Sequence, residues 1–448
     1  MDRLTAWLAK APRDPSQRRL LSANLADALG TGLFLPLSVL YLTRIVGLSP
    51  ARAGLGLTIA GFIAIAASPL SGTLLGRLDA RWVVLGCFAA SAVGFASYVA
   101  VRSFAAFLGV AILIQFAGRM ERPAMAVLTL GVTPRPGQLG ALALQYSLRN
   151  FGYGVGGLLA ALALLAHGKG PFVVLLAANA ASYVVAGLLV LRLPPVRPSD
   201  RRRDDDAAGY RQVLRDRPYV GLALLNVIMA LHDSILIVAM PLWIATRTRA
   251  PLPLTGLLFT LNTLLAVVLQ VRATRNVAAP GGIARSYRAA AVSFVLACGA
   301  FAWAAGAPVA VAVVLLVIAL AALTSAELVT SAGEWFVSVN LAPERLRERY
   351  LSVFKTSMAV QQAAGPLLVT AVLAGWGRVG WLALASLLVA GTLASGRLAA
   401  RETARRLSRP ASAPRSQPPA AAKEQRSDPR PALAAMTART PGGERETS

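Results

Sequence analysis

Cysteine and histidine are scarce in this chain, and their scarcity excludes several kinds of chemistry. The two cysteines, Cys87 and Cys298, both fall within apolar stretches, so neither a disulfide framework nor a CxxC metal site is expected. The chain has only two histidines, which argues against a metal-dependent enzyme, and we predict no metal site. These absences favour functions that need no resident cofactor.

Motifs for nucleotide chemistry and nucleophilic catalysis are also missing. The segment Gly168-Lys169-Gly170 lacks both the upstream glycine and the hydroxyl residue of a GxxxxGK[ST] phosphate loop, so ATP is not expected to drive this protein. No nucleophile elbow stands in a suitable context. The sequence therefore predicts a protein that is not an enzyme and binds no cofactor.

Acidic residues are outnumbered: 20 Asp and Glu stand against 45 Lys and Arg, which gives a formal net charge of +25. In a soluble protein such a charge would point to nucleic acid. Here, however, 56% of the residues are hydrophobic and only 15% are charged, and most basic residues lie in short hinges. We therefore expect a lipid bilayer as the partner, and no nucleic acid.

The apolar residues form blocks of about twenty residues, the length that crosses the hydrocarbon core of a bilayer. Each block must be helical, since backbone groups in lipid have to be hydrogen-bonded within their own segment. The sequence thus predicts an all-α membrane protein with twelve transmembrane helices. They are expected at residues 20–45, 53–75, 82–101, 104–128, 139–166, 171–193, 218–246, 253–273, 284–304, 308–336, 349–374 and 379–397.

Arginines are concentrated in alternate hinges. If the N-terminus is cytoplasmic, the inner segments hold most of them, including the cluster Arg201-Arg202-Arg203, whereas the outer hinges hold few basic residues, such as Lys169. This positive-inside bias predicts a multi-pass protein of the plasma membrane with both termini in the cytoplasm. The first apolar block is too long for the core of a cleavable signal peptide.

A charged linker at 194–217 divides the spans into six plus six. We predict a cytoplasmic N-terminus (1–19), two six-helix bundles (20–193 and 218–397) and a disordered cytoplasmic tail (398–448), whose composition is Pro-, Ala-, Ser- and Arg-rich. The halves show weak similarity when Pro134 is set against Pro343. Parallel repeats of this kind are typical of secondary carriers.

The loop between the second and third spans carries a family pattern. It reads Gly72-Thr73-Leu74-Leu75-Gly76-Arg77-Leu78-Asp79-Ala80-Arg81. This resembles the major facilitator superfamily, whose loop has Gly, three residues, Asp, Arg, one residue, Gly, Arg, Arg. Gly72, Arg77 and Arg81 match, whereas Gly76 stands at the Asp position and Asp79 at the second Gly position.

The resemblance covers about residues 18–400 and extends to the twelve-span drug:proton antiporters of bacteria. It implies the major facilitator fold, with two six-helix bundles, and a gating role for Gly72, Gly76, Arg77, Asp79 and Arg81. Small residues let helices approach closely, and Arg77 and Arg81 are cytoplasmic charges that could latch the bundles in one state. The alternative is plain anchoring of the loop on the inner side.

The fifth span contains Arg149-Asn150-Phe151-Gly152-Tyr153-Gly154-Val155-Gly156-Gly157, which resembles the glycine-rich motif of exporters without its usual Gly-Pro. Gly365-Pro366 occupies the matched place in the eleventh span. Ordinary small-residue packing is the alternative interpretation. The helix-packing set is Asn150, Gly152, Gly154, Gly156, Gly157, Gly365 and Pro366.

Ionisable residues within the spans are costly in lipid and indicate function. The candidates for proton coupling are Asp27, Arg119, Arg149, Asp233 and Glu327. The resemblance implies that Arg119 corresponds to an intramembrane arginine linked to proton transfer, and that the three acids lie on helices lining the central cavity.

A low dielectric constant disfavours the charged form of a carboxyl group, so such a group can take up and release protons near neutral pH. A static ion pair, for example between Asp27 and Arg149, is the alternative. Glu121, Arg122 and Lys355 are expected to reach the cytoplasmic face and are set aside. His232 could carry protons or could be a structural histidine.

The function predicted from these features is secondary active transport by alternating access. We expect proton-coupled efflux of amphipathic small molecules, by a monomer driven by the proton gradient. Proton symport of a defined nutrient is one alternative, and a membrane sensor or scaffold without transport is another. The expected substrate cavity contains Trp243, Phe259, Asn262, Gln270 and Glu334, which would suit loose, polyspecific binding.

Overall fold

A computed structural model of the chain describes residues 14–134, 137–166, 168–196, 206–279, 281–343 and 346–407. Every regular element in these residues is a helix. Nine of the described helices are long and apolar enough to cross a membrane. The predicted all-α membrane architecture is confirmed, because helices satisfy their own backbone groups in lipid.

The first half consists of seven helices: α1 (Pro15–Ile45), α2 (Pro50–Ile65), α3 (Ala67–Leu75), α4 (Ala80–Tyr98), α5 (Phe104–Val132), α6 (Gln138–Ala163) and α7 (Gly170–Leu191). The predicted second span is divided between α2 and α3. The proline at position 69 accounts for the break, because a proline has no backbone N–H to donate to the carbonyl four residues earlier.

The second half contains α8 (Asp206–Arg215), α9 (Arg217–Arg247), α10 (Leu254–Ala278), α11 (Gly282–Ala304), α12 (Val309–Asn340) and α13 (Arg347–Leu407). Helix α13 joins the predicted eleventh and twelfth spans and is interrupted at Gly377, where φ is +53°. Only glycine adopts this conformation at little cost, so Gly377 lets the chain turn between the two spans.

Neither end of the chain and only part of the linker lies in the described residues. The predicted linker 194–217 contains α8, and residues 197–205 fall outside the described part. Of the predicted N-terminal segment, the structure describes residues 14–19. Of the predicted tail, it describes residues 398–407, which are part of α13 and extend this helix beyond the predicted end of the last span at residue 397. The predicted tail from 408 onward lies outside the described residues.

Apolar packing is largely separate in the two halves. One cluster takes all of its buried members from residues 20–193, whereas the other two take theirs from residues 213–399, with Val39 the exception. The count of twelve spans stays a prediction, since α2 is short and α13 is one continuous element. The domain boundaries stay a prediction as well.

We predict that the hinges carrying Lys169 and Arg202 lie on opposite sides of the membrane. A cysteine replacing Lys169 should react with an impermeant maleimide added to intact cells, whereas one replacing Arg202 should react only after permeabilisation. The native Cys87 and Cys298 are buried and should contribute little background. Reaction of both engineered cysteines from outside would contradict the cytoplasmic placement of the linker.

Candidate functional site

One face of the glycine motif in α6 lies directly against α1. A methyl group on Gly156 would stand 2.5 Å from the carbonyl oxygen of Leu29 and 2.7 Å from the Cα atom of Gly32, and one on Gly152 would stand 2.6 Å from the Cβ atom of Ala28. The neighbouring atoms belong mainly to backbone, so α1 and α6 are in close backbone contact.

The opposite face of the same motif lies against α10, in the second half. A methyl group on Gly157 would stand 3.0 Å from the Cδ1 atom of Phe259, and one on Gly154 would stand 3.2 Å from the Cγ2 atom of Thr263. The hydroxyl of Thr260 donates to the carbonyl of Gly154 across this contact, at 2.9 Å. Helix α6 therefore joins the two halves.

Gly365 and Pro366 of α13 occupy an equivalent place with the halves exchanged. A methyl group on Gly365 would stand 3.0 Å from the Cβ atom of Ser234 in α9, and one on Gly54 in α2 would stand 2.9 Å from the carbonyl oxygen of Pro366. The amide of Leu367 also donates to Thr58, at 3.3 Å. Each motif therefore makes one contact within its own half and one contact with the other half. We call the two contacts between halves, that of α6 with α10 and that of α2 with α13, the seams.

These contacts between halves lie toward one end of the spans, and we predict that this end faces the extracellular side. A third link there joins the ends of α1 and α9, where the guanidinium of Arg44 donates to the carbonyl of Ala245 at 2.6 Å. The seam of α6 with α10 and that of α2 with α13 involve the same end. The conformation is therefore closed at that end of the molecule.

A buried polar cluster in the first half brings together Asp27, Glu121 and Arg149 from α1, α5 and α6. Arg149 forms an ion pair with Glu121 at 3.6 Å. Asp27 is 5% exposed and accepts a hydrogen bond from Thr31 at 3.4 Å. The hydroxyl of Tyr183 lies 3.1 Å from that of Thr31 and is also hydrogen-bonded to Asp27.

Arg149 therefore does not form the ion pair with Asp27 that was considered as the static alternative, although it acts electrostatically on both carboxyl groups. Arg119, the expected proton-transfer residue, makes no ion pair with any described residue. Arg122, one turn further along α5, is exposed and also acts on Asp27. The role of Arg119 stays a prediction.

A second cluster lies in the other half, between α9, α10 and α12. The Nε2 atom of His232 lies 3.4 Å from the Oδ1 atom of Asp233, and Asn262 donates to the Oε2 atom of Glu327 at 2.9 Å. Ligand atoms of His232, Asp233 and Glu327 all lie within 4.8 Å of one another, so these three residues could hold a metal ion. Glu334, seven residues further along α12, is bonded to Asn226.

The residues expected to form the substrate cavity do not share one environment. Trp243 is 2% exposed, donates from its indole nitrogen to the carbonyl of Phe301 at 2.7 Å and packs edge-on against Trp381. Phe259 is buried in the seam with α6, whereas Gln270 is exposed on α10. In this conformation Trp243 belongs to the core of the second half, and a common cavity stays a prediction.

The loop between the second and third spans is attached to its own half. Asp79 caps α4 by accepting from the amide of Arg81 at 2.9 Å, and it also accepts from the amide of Val196 at 3.2 Å. The guanidinium of Arg81 donates to the carbonyl of Leu193 at 2.8 Å. Arg77 is exposed, Gly72 lies within α3 and Gly76 directly follows it. The loop is therefore fixed to the end of α7.

Sequence reasoning missed three members of the first cluster: Glu121, Thr31 and Tyr183. Glu121 was expected to reach the cytoplasmic face, but it is 7% exposed and paired with Arg149. An acid and an arginine on neighbouring spans were a usable signal, since an unpaired charge at this depth is costly. Thr31 lies one helical turn after Asp27, which was also a usable signal.

Comparison with known proteins identifies the family. Residues 20–334 match the model of the Major Facilitator Superfamily, which is more than half of the chain. The chain therefore belongs to the major facilitator superfamily of membrane transporters, and the predicted resemblance and fold are confirmed. No curated relative matches the chain in sequence.

Solved transporters share this fold at low sequence identity. A mutant of the nucleoside transporter NupG is 15% identical, with a TM-score of 0.72, and the match covers 85% of this chain and 99% of that one. An auto-inhibited peptide transporter of the POT family is 16% identical, with a TM-score of 0.69 and coverages of 87% and 97%. A bacterial homologue of the iron transporter ferroportin, in an inward-facing state, is 17% identical, with a TM-score of 0.63 and coverages of 87% and 98%.

We predict that Arg77 and Arg81 control conformational balance more than substrate affinity. Both lie in the loop at the predicted cytoplasmic edge, whereas the buried clusters lie within the spans. Replacing either arginine by Ala should therefore slow turnover while substrate binding survives. Arg81→Ala also removes the bond to Leu193 and should have the larger effect. Binding and transport would be measured on the same purified protein. A proportional loss of both, with the protein folded, would contradict the latch.

Proposed function

We propose that the protein is a proton-coupled secondary transporter that exports amphipathic small molecules across the plasma membrane, with both termini in the cytoplasm. It works as a monomer, by alternating access, and the proton gradient drives it. Membership of a transporter family supports transport itself. The resemblance of its fifth-span motif to that of exporters supports the outward direction.

The observation that carries proton coupling is the charge balance of the cluster in the first half. Two buried carboxyl groups, Asp27 and Glu121, share one partly buried arginine, Arg149, which forms an ion pair with Glu121. Arg122 also acts on Asp27, but it is exposed and its charge is weakened by solvent. One arginine cannot neutralise two carboxylates in a medium of low dielectric constant, so one of the two acids is favoured to hold a proton.

This balance suggests how a proton is exchanged for substrate. When Glu121 takes up the proton, Arg149 loses its partner and turns toward Asp27, which then becomes the charged acid. The side chains of Thr31 and Tyr183 then rearrange as well, because both are hydrogen-bonded to Asp27. A change in which acid is charged alters contacts between α1, α5 and α6, and α6 is the helix that also contacts α10 in the other half.

The seams between the halves support alternating access. They close the molecule at its predicted outer end, and closure there is what alternating access requires while an exporter loads its substrate from the cytoplasm. For the outward-open state the contacts of Thr260 with Gly154, of Leu367 with Thr58 and of Arg44 with Ala245 must break. Few hydrogen bonds are lost in that step, so the two states can interconvert.

Uptake of a defined nutrient by proton symport is a second candidate. Nucleoside and peptide transporters are among the solved structures that share the fold, which favours this alternative over a purely structural protein. A sensor or scaffold without transport remains the third interpretation of the altered loop motif. The three candidates differ in how substrate movement depends on the proton gradient.

The test uses purified protein in liposomes, a panel of labelled amphipathic compounds and nutrients, and an imposed pH gradient. Antiport predicts accumulation when the liposome interior is acidic, because protons leave as substrate enters. Symport predicts accumulation when the exterior is acidic. Empty liposomes and gradient collapse by an ionophore are the controls. Absence of proton-coupled movement for every compound would overturn the proposal in favour of a scaffold.

A further inference from the structure

We propose that His232, Asp233 and Glu327 bind a divalent transition-metal ion. These residues form the cluster in the second half, on α9 and α12, apart from the Asp27 cluster to which we assign proton coupling. The ligand set is one imidazole and two carboxylates, which suits borderline ions such as Zn²⁺, Mn²⁺ and Co²⁺. The inference does not rest on the proposed export of small molecules.

The protonation pattern of His232 is the first observation in its favour. Its Nδ1 atom lies 2.8 Å from the carbonyl oxygen of Met229, and a carbonyl can only accept, so Nδ1 must carry a hydrogen. In the neutral imidazole, Nε2 then carries a lone pair, which is directed at a carboxylate oxygen of Asp233. Two acceptors facing each other repel, and this repulsion is removed either by a proton on Nε2, which makes the pair a salt bridge, or by a metal ion between the two atoms.

The same pattern is typical of histidines that bind metals. A metal-ligating histidine usually donates its other ring hydrogen to a carbonyl or carboxylate, which fixes the ring and its tautomer. Met229 provides that carbonyl from the preceding turn of α9, and Phe294 of α11 stacks on the ring. His232 is only 5% exposed, so the ring is held in this orientation.

The distances suit a metal ion. Two ligands each about 2.1 Å from a tetrahedral ion are about 3.4 Å apart. The Nε2 atom of His232 and the Oδ1 atom of Asp233 are separated by 3.4 Å. The third ligand, Glu327, lies within 4.8 Å of both and needs only a small side-chain movement. Asn262 holds its carboxylate from the other side, at 2.9 Å, as an outer partner of a ligand does.

The local charge also favours a cation. The described charged groups that act on Glu327 are His232 and Asp233, and Glu334 is a further acid that acts on His232. With a neutral imidazole, Asp233 and Glu327 leave two negative charges within membrane helices, which is costly. The Asp233 side chain is 31% exposed, so an ion can reach the site. Three protein ligands leave a fourth position for water or substrate.

The test is a titration with Co²⁺, whose visible absorption reports imidazole and carboxylate ligation, on full-length protein carrying no polyhistidine tag. We expect binding of one equivalent, displaced by Zn²⁺. Glu327→Gln and His232→Gln should each weaken binding at least about tenfold. His167→Gln is the matched control, because it removes the other histidine of the chain, and it should leave the titration unchanged.

Size-exclusion chromatography identifies any variant that fails to fold, and Glu327→Gln, which keeps the shape of the side chain, is the variant on which the proposal depends. Wild-type protein that binds no Co²⁺, or Glu327→Gln protein that binds it as tightly as wild type, would overturn the proposal. Binding in detergent needs no gradient, so failure of proton-coupled export would leave this result unaffected.

Discussion

Asp27→Asn is expected to abolish accumulation of substrate against a gradient while leaving binding and gradient-free exchange intact. Asparagine imitates the protonated acid and cannot release a proton. The amide can still accept from Thr31, so the local packing should survive. With Asp27 fixed in the neutral form, Arg149 keeps Glu121 as its partner throughout the cycle, and the proton loses its exchange site.

Liposomes containing the variant provide the measurement: counterflow exchange of labelled substrate without a pH gradient, and accumulation with one. Asp27→Glu is the matched control, because it restores a protonatable group and should recover part of the accumulation. Full accumulation by Asp27→Asn would make Asp27 a structural residue. The coupling acid would then have to be sought at Glu121, Asp233 or Glu327.

The second large effect is expected for Gly156→Leu, which should separate α1 from α6. Even the first side-chain carbon would meet the carbonyl of Leu29 and the backbone of Gly32 at 2.5–2.7 Å. Overpacking in a well-packed core costs about 1–3 kcal/mol. Here the cost should reach or exceed that range, because the atoms in the way belong to backbone and cannot change rotamer. The Asp27 cluster spans the same two helices and should be disrupted as well.

Thermal stability of the solubilised protein, followed by size-exclusion chromatography after heating, measures this effect. Gly86→Leu is the matched control: it adds the same side chain to a helical glycine with no atom within 4 Å of the added carbon. We expect Gly86→Leu to resemble wild type and Gly156→Leu to lose its monodisperse peak at a clearly lower temperature. Equal stability of the two variants would contradict the close contact between α1 and α6.

The helical membrane fold could be predicted from the sequence because it depends on local composition. Apolar length, the need for internal hydrogen bonds and the spacing of hinges are all properties of consecutive residues. Two departures are also local in origin. Pro69 divides the second span and Gly377 separates the last two, and both residue types can be recognised in the sequence.

The pairing of charges could not be predicted in the same way. Arg149 pairs with Glu121 and leaves Asp27 to Thr31, and this choice depends on how α1, α5 and α6 are rotated about their axes. Trp243 illustrates the same limit: an aromatic residue near a predicted cavity is buried against Phe301 and Trp381. Positions along a span can be inferred from the chain, whereas the direction of each side chain is fixed by packing between helices.

The glycines of α6 have a consequence for the rate of transport. In the proposed alternating-access cycle, the face with Gly152 and Gly156 stays against α1, whereas the face with Gly154 and Gly157 separates from α10 and is exposed to water. A leucine or valine exposed to water in that step would cost about 1.5–3 kcal/mol, whereas glycine exposes almost no apolar surface. Because glycine forms one side of the seam, opening it exposes apolar surface mainly from Phe259 on the α10 side. The hydrophobic penalty of each opening is therefore smaller than it would be with large apolar side chains on both helices.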